Sequence, residues 1–382
     1  TYIPMASGGA DILRGFVPAH LGSHDNSLWI GAIPSAYTNA EYSVGIGHLA
    51  LDAVTTGDYN TALGYQAGTA LTTGGHNTAI GRDVLKAIVT GAGNTGMGSR
   101  AGQSLEVASG YNVFLGYSAA MNLTSGSHNI AIGRQSVGAG DYDTGGTADG
   151  NIGIGSYALR ELSGASNNVA IGHSAIRDNT TGYNNISIGY YAGVDNTTGR
   201  DNVFIGKQAA SKHTTATYNT YIGTEAGEFS TGGTNNTVVG RQAWGVGVGT
   251  GGDNVVMGSL ALLSGTSAAE NVIIGYNAAG NATTTQRTVV IGNDADLGLA
   301  GGSNNEDGVF IGEGAGGTAV SGMRNTLVGK SAGGSAYAAL KESTFIGASA
   351  GAGVSGAYNT FVGYSAGSSS NSTTNTTGVG FN

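Results

Sequence analysis

Three aspartates raise the first question of chemistry. In "DYDTGGTADGN" (141–151), Asp141, Asp143 and Asp149 fall at offsets one, three and nine of a calcium-binding loop, with Gly146 at six. Offset five is Gly145, and offset twelve is Ile152, where a bidentate Glu belongs. The segment is therefore a poor EF-hand, to be read either as a calcium site or as a solvated polar loop. "NDAD" (293–296) and "NNED" (304–307) carry the same two readings. The seven histidines (His20, His24, His48, His76, His128, His173, His213) are scattered, and no pair has metal spacing. There are no cysteines, hence no disulfide, Cys-type zinc site or thiol chemistry. The sequence marks neither a groove with paired carboxylates nor a nucleophile with its base. We expect a protein that is not an enzyme and needs no cofactor, calcium at the aspartates excepted.

A second candidate set is aromatic. Tyr65, Tyr117, Tyr190, Tyr276 and Tyr364 each follow a recurring glycine, a position they share with His48, His173, Arg82, Arg134, Lys207, Arg241 and Lys330. Aromatic rings with nearby donors suit sugar faces, so this column reads as a glycan-binding surface or simply as a polar exterior.

The elements that must carry these residues are set by a repeat. Glycines following an aliphatic residue run from Gly47, Gly64, Gly81 and Gly98 to Gly363 and Gly380, and thirteen of the nineteen intervals are 17 residues. Two intervals are enlarged, Gly133 to Gly155 at 22 residues and Gly292 to Gly312 at 20, and they hold the acidic segments. Insertions in repeat arrays map to loops. "SLWIGAIPSA" (27–36) is a degenerate earlier copy centred on Gly31. The unit reads Asn, Thr/Val/Ile, a variable residue, an aliphatic residue, Gly, two mostly polar residues and Ala, then closes on a polar turn such as "LTTGGHN" (71–77). Glycine density and the missing 3.6 period exclude helix. One clear strand, a weaker second strand and two turns make one coil of a parallel β-solenoid (β-roll). About twenty coils spaced by about 4.8 Å would give a rod roughly 95 Å long.

The Asn column (Asn60, Asn77, Asn94 and onward) is expected at a turn, tolerating left-handed geometry and hydrogen-bonding from coil to coil as a ladder. The Ala column (Ala67, Ala101, Ala119 and onward) needs a small side chain where the coil narrows. The residue two before each glycine is mostly small in the first half. From residue 204 it is large: Phe204, Tyr221, Val238, Val256, Ile273, Val290, Phe310, Leu327, Phe345 and Phe361. Read as an exposed stripe, these residues would exceed what monomers show, so they are expected to form an oligomer interface with further copies of the chain. The apolar column seven after the glycine (Leu71, Ile88, Leu105, Leu123, Leu162) gives way to Asn179, Asn196 and His213, which suggests one thin, wet wall.

Composition limits the partners. The net charge is −9 and the 15 Lys and Arg are dispersed, which argues against nucleic acid. No apolar run is long enough to insert in a membrane. Residues 1–42 hold all three prolines and read as an N-terminal cap or connector, with the repeat array over 43–382. The start has neither Met nor a signal-peptide pattern and reads as a processed chain or a piece of a larger one.

The motif "NTAIG" followed by Ala and Thr-Thr-Gly, repeated over 43–380, resembles the β-roll repeats of trimeric autotransporter adhesin heads. It looks closer still to the longer-period repeats of bacteriophage tail-fibre-like proteins. The resemblance implies a parallel homotrimer of left-handed β-rolls, extracellular on a virion (tail fibre) or bacterial cell surface, contacting a glycan or protein receptor for host attachment. The expected function is a structural and adhesive fibre. Alternatives are a self-assembling extracellular filament or coat subunit, since the end in "TTGVGFN" (376–382) stops inside a coil, an ice-binding solenoid, or a polysaccharide-cleaving tailspike. Ice binding wants a flat threonine array. Thr61, Thr78, Thr95, Thr220 and Thr237 share their column with Val113, Ile130, Val203 and Val272, and that column is expected to face inward.

Overall fold

A computed structural model describes residues 27–381 except 32–33, 37, 107–108, 139, 141–146, 248, 297–303, 318–321, 335–339 and 369–372. The chain is all-β, a parallel β-solenoid of about 19 turns with a repeat near 17 residues. It divides into two units. The first runs to Ser174 and takes in Asp178–Thr181, and the second holds Ala175–Arg177 and the chain from Gly182 on.

Each coil contributes one short strand, and successive strands pair in parallel with identical register. Val203–Ile205 lies on Thr220–Ile222, matching Phe204 to Tyr221 and Ile205 to Ile222. The degenerate first copy obeys the rule: Leu28–Gly31 pairs with Val44–Gly47, Gly31 opposite Gly47. The glycine closing each strand is required twice over. Gly47 sits at φ +134°, and a Cβ there would come within 2.5 Å of the Gly64 carbonyl oxygen of the next coil.

The second strand is largely absent among the described residues. Only Thr284–Gln286 and Asn304–Glu306 form a second ladder. Two alternate residues after the glycine take left-handed backbone, as at Gln66 (φ 54°) and Gly68 (φ 59°), and such alternation cannot lie in a pleated strand. Coil-to-coil bonding persists regardless: Leu51 donates to the Ala67 carbonyl at 3.0 Å and Thr72 to that of Val89 at 2.8 Å.

The Asn column forms the expected ladder. Asn77 donates its backbone N–H to Asn60 Oδ1 (3.0 Å) and its Nδ2 to Asn60 Oδ1 (3.1 Å) and the Gly91 carbonyl (2.9 Å). The left-handed residue is not the Asn but the one before it, His76 at φ 59° in this coil. The Ala column is buried throughout.

The large residues two before each glycine correct the expectation of an oligomer interface. Phe204, Tyr221, Val238, Val256, Ile273, Val290, Phe310, Leu327, Phe345 and Phe361 are 0–3% exposed within the single chain. They are the coils' own core and cannot be a surface for another copy. The reason is complementary volume. In the first unit this column is mostly small (Ala62, Ala79, Gly96, Ala131, Gly153), and Leu71, Ile88, Leu105 and Leu123 fill the interior from the opposite wall. In the second unit the near wall supplies the bulk and the far wall shrinks. A Cβ added to Gly193 would lie 2.5 Å from Phe204 Cδ2, one at Gly227 3.0 Å from Tyr221 Cδ2, and one at Gly316 2.8 Å from Phe310 Cδ1. Asn179, Asn196 and His213 are likewise fully buried, so the far wall is not wet.

This packing makes a coupling measurable. A Cβ on Gly153 would meet Val137 Cγ2 at 2.5 Å. Gly153→Ala should cost about 1–3 kcal/mol by overpacking. Val137→Ala should relieve most of that, giving a double mutant more stable than additivity allows. Additive losses in chemical denaturation would contradict the facing-column account.

Because residues alternate, the positions flanking the buried one face outward. The threonine column is among them: Thr61 and Thr237 are exposed and Thr78, Thr95 and Thr220 half-buried, so the expected inward orientation is reversed.

Candidate binding surface

The outer face of the strand wall carries four columns, at five, three and one residues before the glycine and one after it. The inner two carry no charge: the position one before the glycine is always Ile, Leu, Met or Val, and the position three before it is aliphatic or, in nine of the 21 strands, Thr. Every strand of this ladder places only Val, Ile, Leu, Met or Thr at both outward positions, from Leu28 and Ile30 to Thr377 and Val379. Leu63, Met97, Met257 and Ile346 are 41–48% exposed. An outward face with no charge at these positions is unusual on a protein exterior.

The column after the glycine holds the tyrosines singled out from sequence. Tyr65, Tyr117, Tyr190, Tyr276 and Tyr364 are 49–58% exposed. They do not converge, being set two or more coils apart. His48 and Tyr65 occupy consecutive levels and stack with centroids 5.7 Å apart, and Tyr364 stacks on Phe381 at 5.3 Å. Elsewhere the column follows an order that the sequence reading missed. A cation, a small residue and an aromatic ring succeed one another as Arg82, Ser99, Tyr117; as Arg134, Ser156, His173; as Arg241, Ser259, Tyr276; and as Lys330, Ala348, Tyr364. The signal lay in the repeat itself and needed the column read downward rather than tallied by residue type.

A second aromatic column, at the left-handed residue before each Asn, was also missed. Tyr42, Tyr59 and His76 form a continuous stack with centroids 5.1 and 4.9 Å apart, and Tyr111 stacks on His128 at 5.5 Å. From Asp253 to Glu342 the same column is charged at every level, with Arg287 Nε 2.6 Å from Asp307 Oδ1 and Arg324 Nη2 2.7 Å from Glu342 Oε1. The Arg287 guanidinium holds the Asp307 carboxyl below its ordinary range. Exposed pairs of this kind add little stability. Cations also lie over rings: Arg200 faces Tyr183 (5.6 Å) and Tyr218 (6.0 Å), and Arg134 and Arg160 both face Tyr157.

Of the aspartates considered for calcium, Asp141 and Asp143 lie outside the described residues. Asp149 accepts the Ser127 backbone N–H at 2.7 Å and so ties one coil to the next. Among the described residues no three His, Asp or Glu side chains converge to hold a metal ion, and no helix is long and apolar enough to cross a membrane. His213 is apart from the surface. It is buried, its Nδ1 is 3.0 Å from the Ser230 carbonyl and its Nε2 3.2 Å from Asn219 Nδ2. Neither a protein-family model nor a curated protein sequence matches the chain.

Proposed function

We propose that the chain is a structural and adhesive solenoid, the shaft or head of an extracellular fibre that associates as a homotrimer and presents its outer columns to a receptor on a host or target cell. The observation that supports this reading is the outward aliphatic column one residue before each glycine. The interior is complete without a partner, yet the position one before each glycine stays Ile, Leu, Met or Val in every strand of the ladder, while the column just after the glycine runs freely through His, Tyr, Arg, Ser, Lys and Glu. We read a position that faces outward and is never polar as one that something covers. Identical register on a shared inter-strand spacing lets another copy present the same columns, level by level, to the first.

An ice-binding role has the outward threonines in its favour. Their column is interrupted by Val113, Ile130, Ile152 and Val169 and flanked by aliphatic residues of uneven length, which favours a protein partner over a lattice match.

The solution mass of the purified chain tests the proposal. A discrete mass of three chains is expected by light scattering. Ile205→Lys with Ile222→Lys, both on the outer face, should yield monomers with an unchanged circular dichroism spectrum. A wild-type monomer, or a double variant that stays trimeric, would overturn the assembly.

A further inference from the structure

The recurring order of cation, small residue and aromatic ring has a steric consequence. Where two rings follow one another in a column they stack, as His48 and Tyr65 do at 5.7 Å, and each covers a face of the other. Where a serine intervenes, the preceding level of the column holds no ring to stack on the next one. The backbones of cation and ring are two coil spacings apart, about 9.6 Å, and the cation's side chain shortens that gap by reaching toward the serine, Arg82 Nε lying 3.5 Å from Ser99 Oγ. Each such level is a shallow notch, with a cation reaching in from one side and a ring on the other.

Both rings are accessible, Tyr117 at 51% and Tyr276 at 54%. The cations lean on the exterior without being sequestered. Arg82 Nε lies 3.5 Å from Ser99 Oγ and 3.6 Å from Asp83 Oδ2, and Arg241 Nη1 donates to Gln242 Oε1 at 2.8 Å. A guanidinium has five donors, so both retain capacity for a further acceptor.

We infer that these notches bind carboxylated sugars of an acidic glycan, one sugar to a notch, with the C–H face of the ring on the tyrosine and the carboxylate on the cation. The inference rests on the adhesive reading and narrows its receptor to a chemical class. A neutral sugar would use the ring and leave the cation idle. A small inorganic anion would use the cation and leave the ring idle. Of the three, the carboxylated sugar uses both. Each notch is weak by itself, and a glycan reaching more than one within a unit gains affinity by effective concentration.

The test is titration of the intact chain with an oligogalacturonate, an α2,8-linked oligosialate and a neutral oligogalactan of matched length. Binding of one or both acidic probes is expected, weakening as salt is raised, with the neutral probe about tenfold weaker or worse. The two acidic arms separate hexuronate from sialate. Ser99→Tyr with Ser259→Tyr fills two notches without removing charge and should lower affinity at least as much as Arg82→Gln with Arg241→Gln. Equal binding of the neutral probe, no binding of either acidic probe, or unchanged affinity in the filled variant would overturn the inference. Attachment of the chain to cells that survives any of those results would leave the adhesive reading standing. Its loss would remove both.

Discussion

Asn112→Leu is expected to destabilise its coil and the next by about 3–5 kcal/mol, although leucine matches the apolar surroundings. Asn112 is fully buried. Its Oδ1 accepts the Asn129 backbone N–H at 2.9 Å and Asn129 Nδ2 at 3.1 Å. Its Nδ2 donates to Asn94 Oδ1 and to the Gly126 carbonyl, both at 2.9 Å. Leucine removes all four and leaves the Asn129 N–H and the Gly126 carbonyl without partners away from water, each at about 1–3 kcal/mol. The chain supplies its own control. Ser43 and Ser343 replace Asn in the same column, and each hydroxyl accepts the next rung's N–H, at 3.1 and 3.2 Å. Asn112→Ser should therefore cost only about 1–2 kcal/mol, the amide's donor bonds being lost and the N–H kept satisfied. Amide exchange at Asn129 discriminates directly. It should accelerate about a hundredfold or more in the leucine variant and far less in the serine variant. Equal protection in both would mean that the ladder is decorative and that strand pairing alone holds the coils in register.

The ladder was legible in the sequence because its logic is local and repeated. An Asn at fixed offset from a glycine in coil after coil has few other uses. The strand was legible for the same reason. What failed was the assignment of inside and outside. Phe204 and Ile205 are adjacent and both apolar, so composition cannot say which of the two faces the coil's interior. The answer depends on the far wall, where Gly193 leaves room for the Phe204 ring and His213 stands edge-on to it with centroids 5.4 Å apart. That wall lies at other sequence offsets, and its volume is read only when the three columns are summed level by level. The left-handed residues were hidden for a related reason. Val137 and Ile176 adopt φ 49° and 41°, which β-branched side chains disfavour, because coil closure and burial override local preference. The notches were hidden by arithmetic, since counting tyrosines along a column loses the order of what lies between them.

His213 carries the second large prediction, a loss of stability on mild acidification. Its ring lies between Phe204 and Tyr221 inside the coil, with centroids 5.4 and 5.3 Å away. Nδ1 lies 3.0 Å from the Ser230 carbonyl, which only accepts, so Nδ1 carries the proton. Nε2 lies 3.2 Å from the Asn219 amide nitrogen, which donates, so Nε2 must accept. That pair of partners fits the neutral ring, and a second proton on Nε2 would confront a donor. Burial accordingly depresses the pKa to about 4, with the Ser230 carbonyl opposing in part. In the unfolded chain the ring titrates at its ordinary 6.5. Between those two values the unfolded state binds more protons than the folded one, so stability falls as pH falls. The contribution is complete above 6.5, declines through the interval and is exhausted near the folded value, a total of about 3 kcal/mol. Asn196 occupies the same column one coil earlier and holds the Gly199 N–H at 3.0 Å, so His213→Asn is a substitution the fold already uses. Denaturation of both proteins from pH 7 to pH 4.5 isolates the effect from the carboxylates, which titrate equally in each. The wild type should lose about 2 kcal/mol more than His213→Asn by pH 5. Parallel curves would mean that the coil opens to let the imidazolium reach water, and the interior of the second unit would then be far softer than its packing implies.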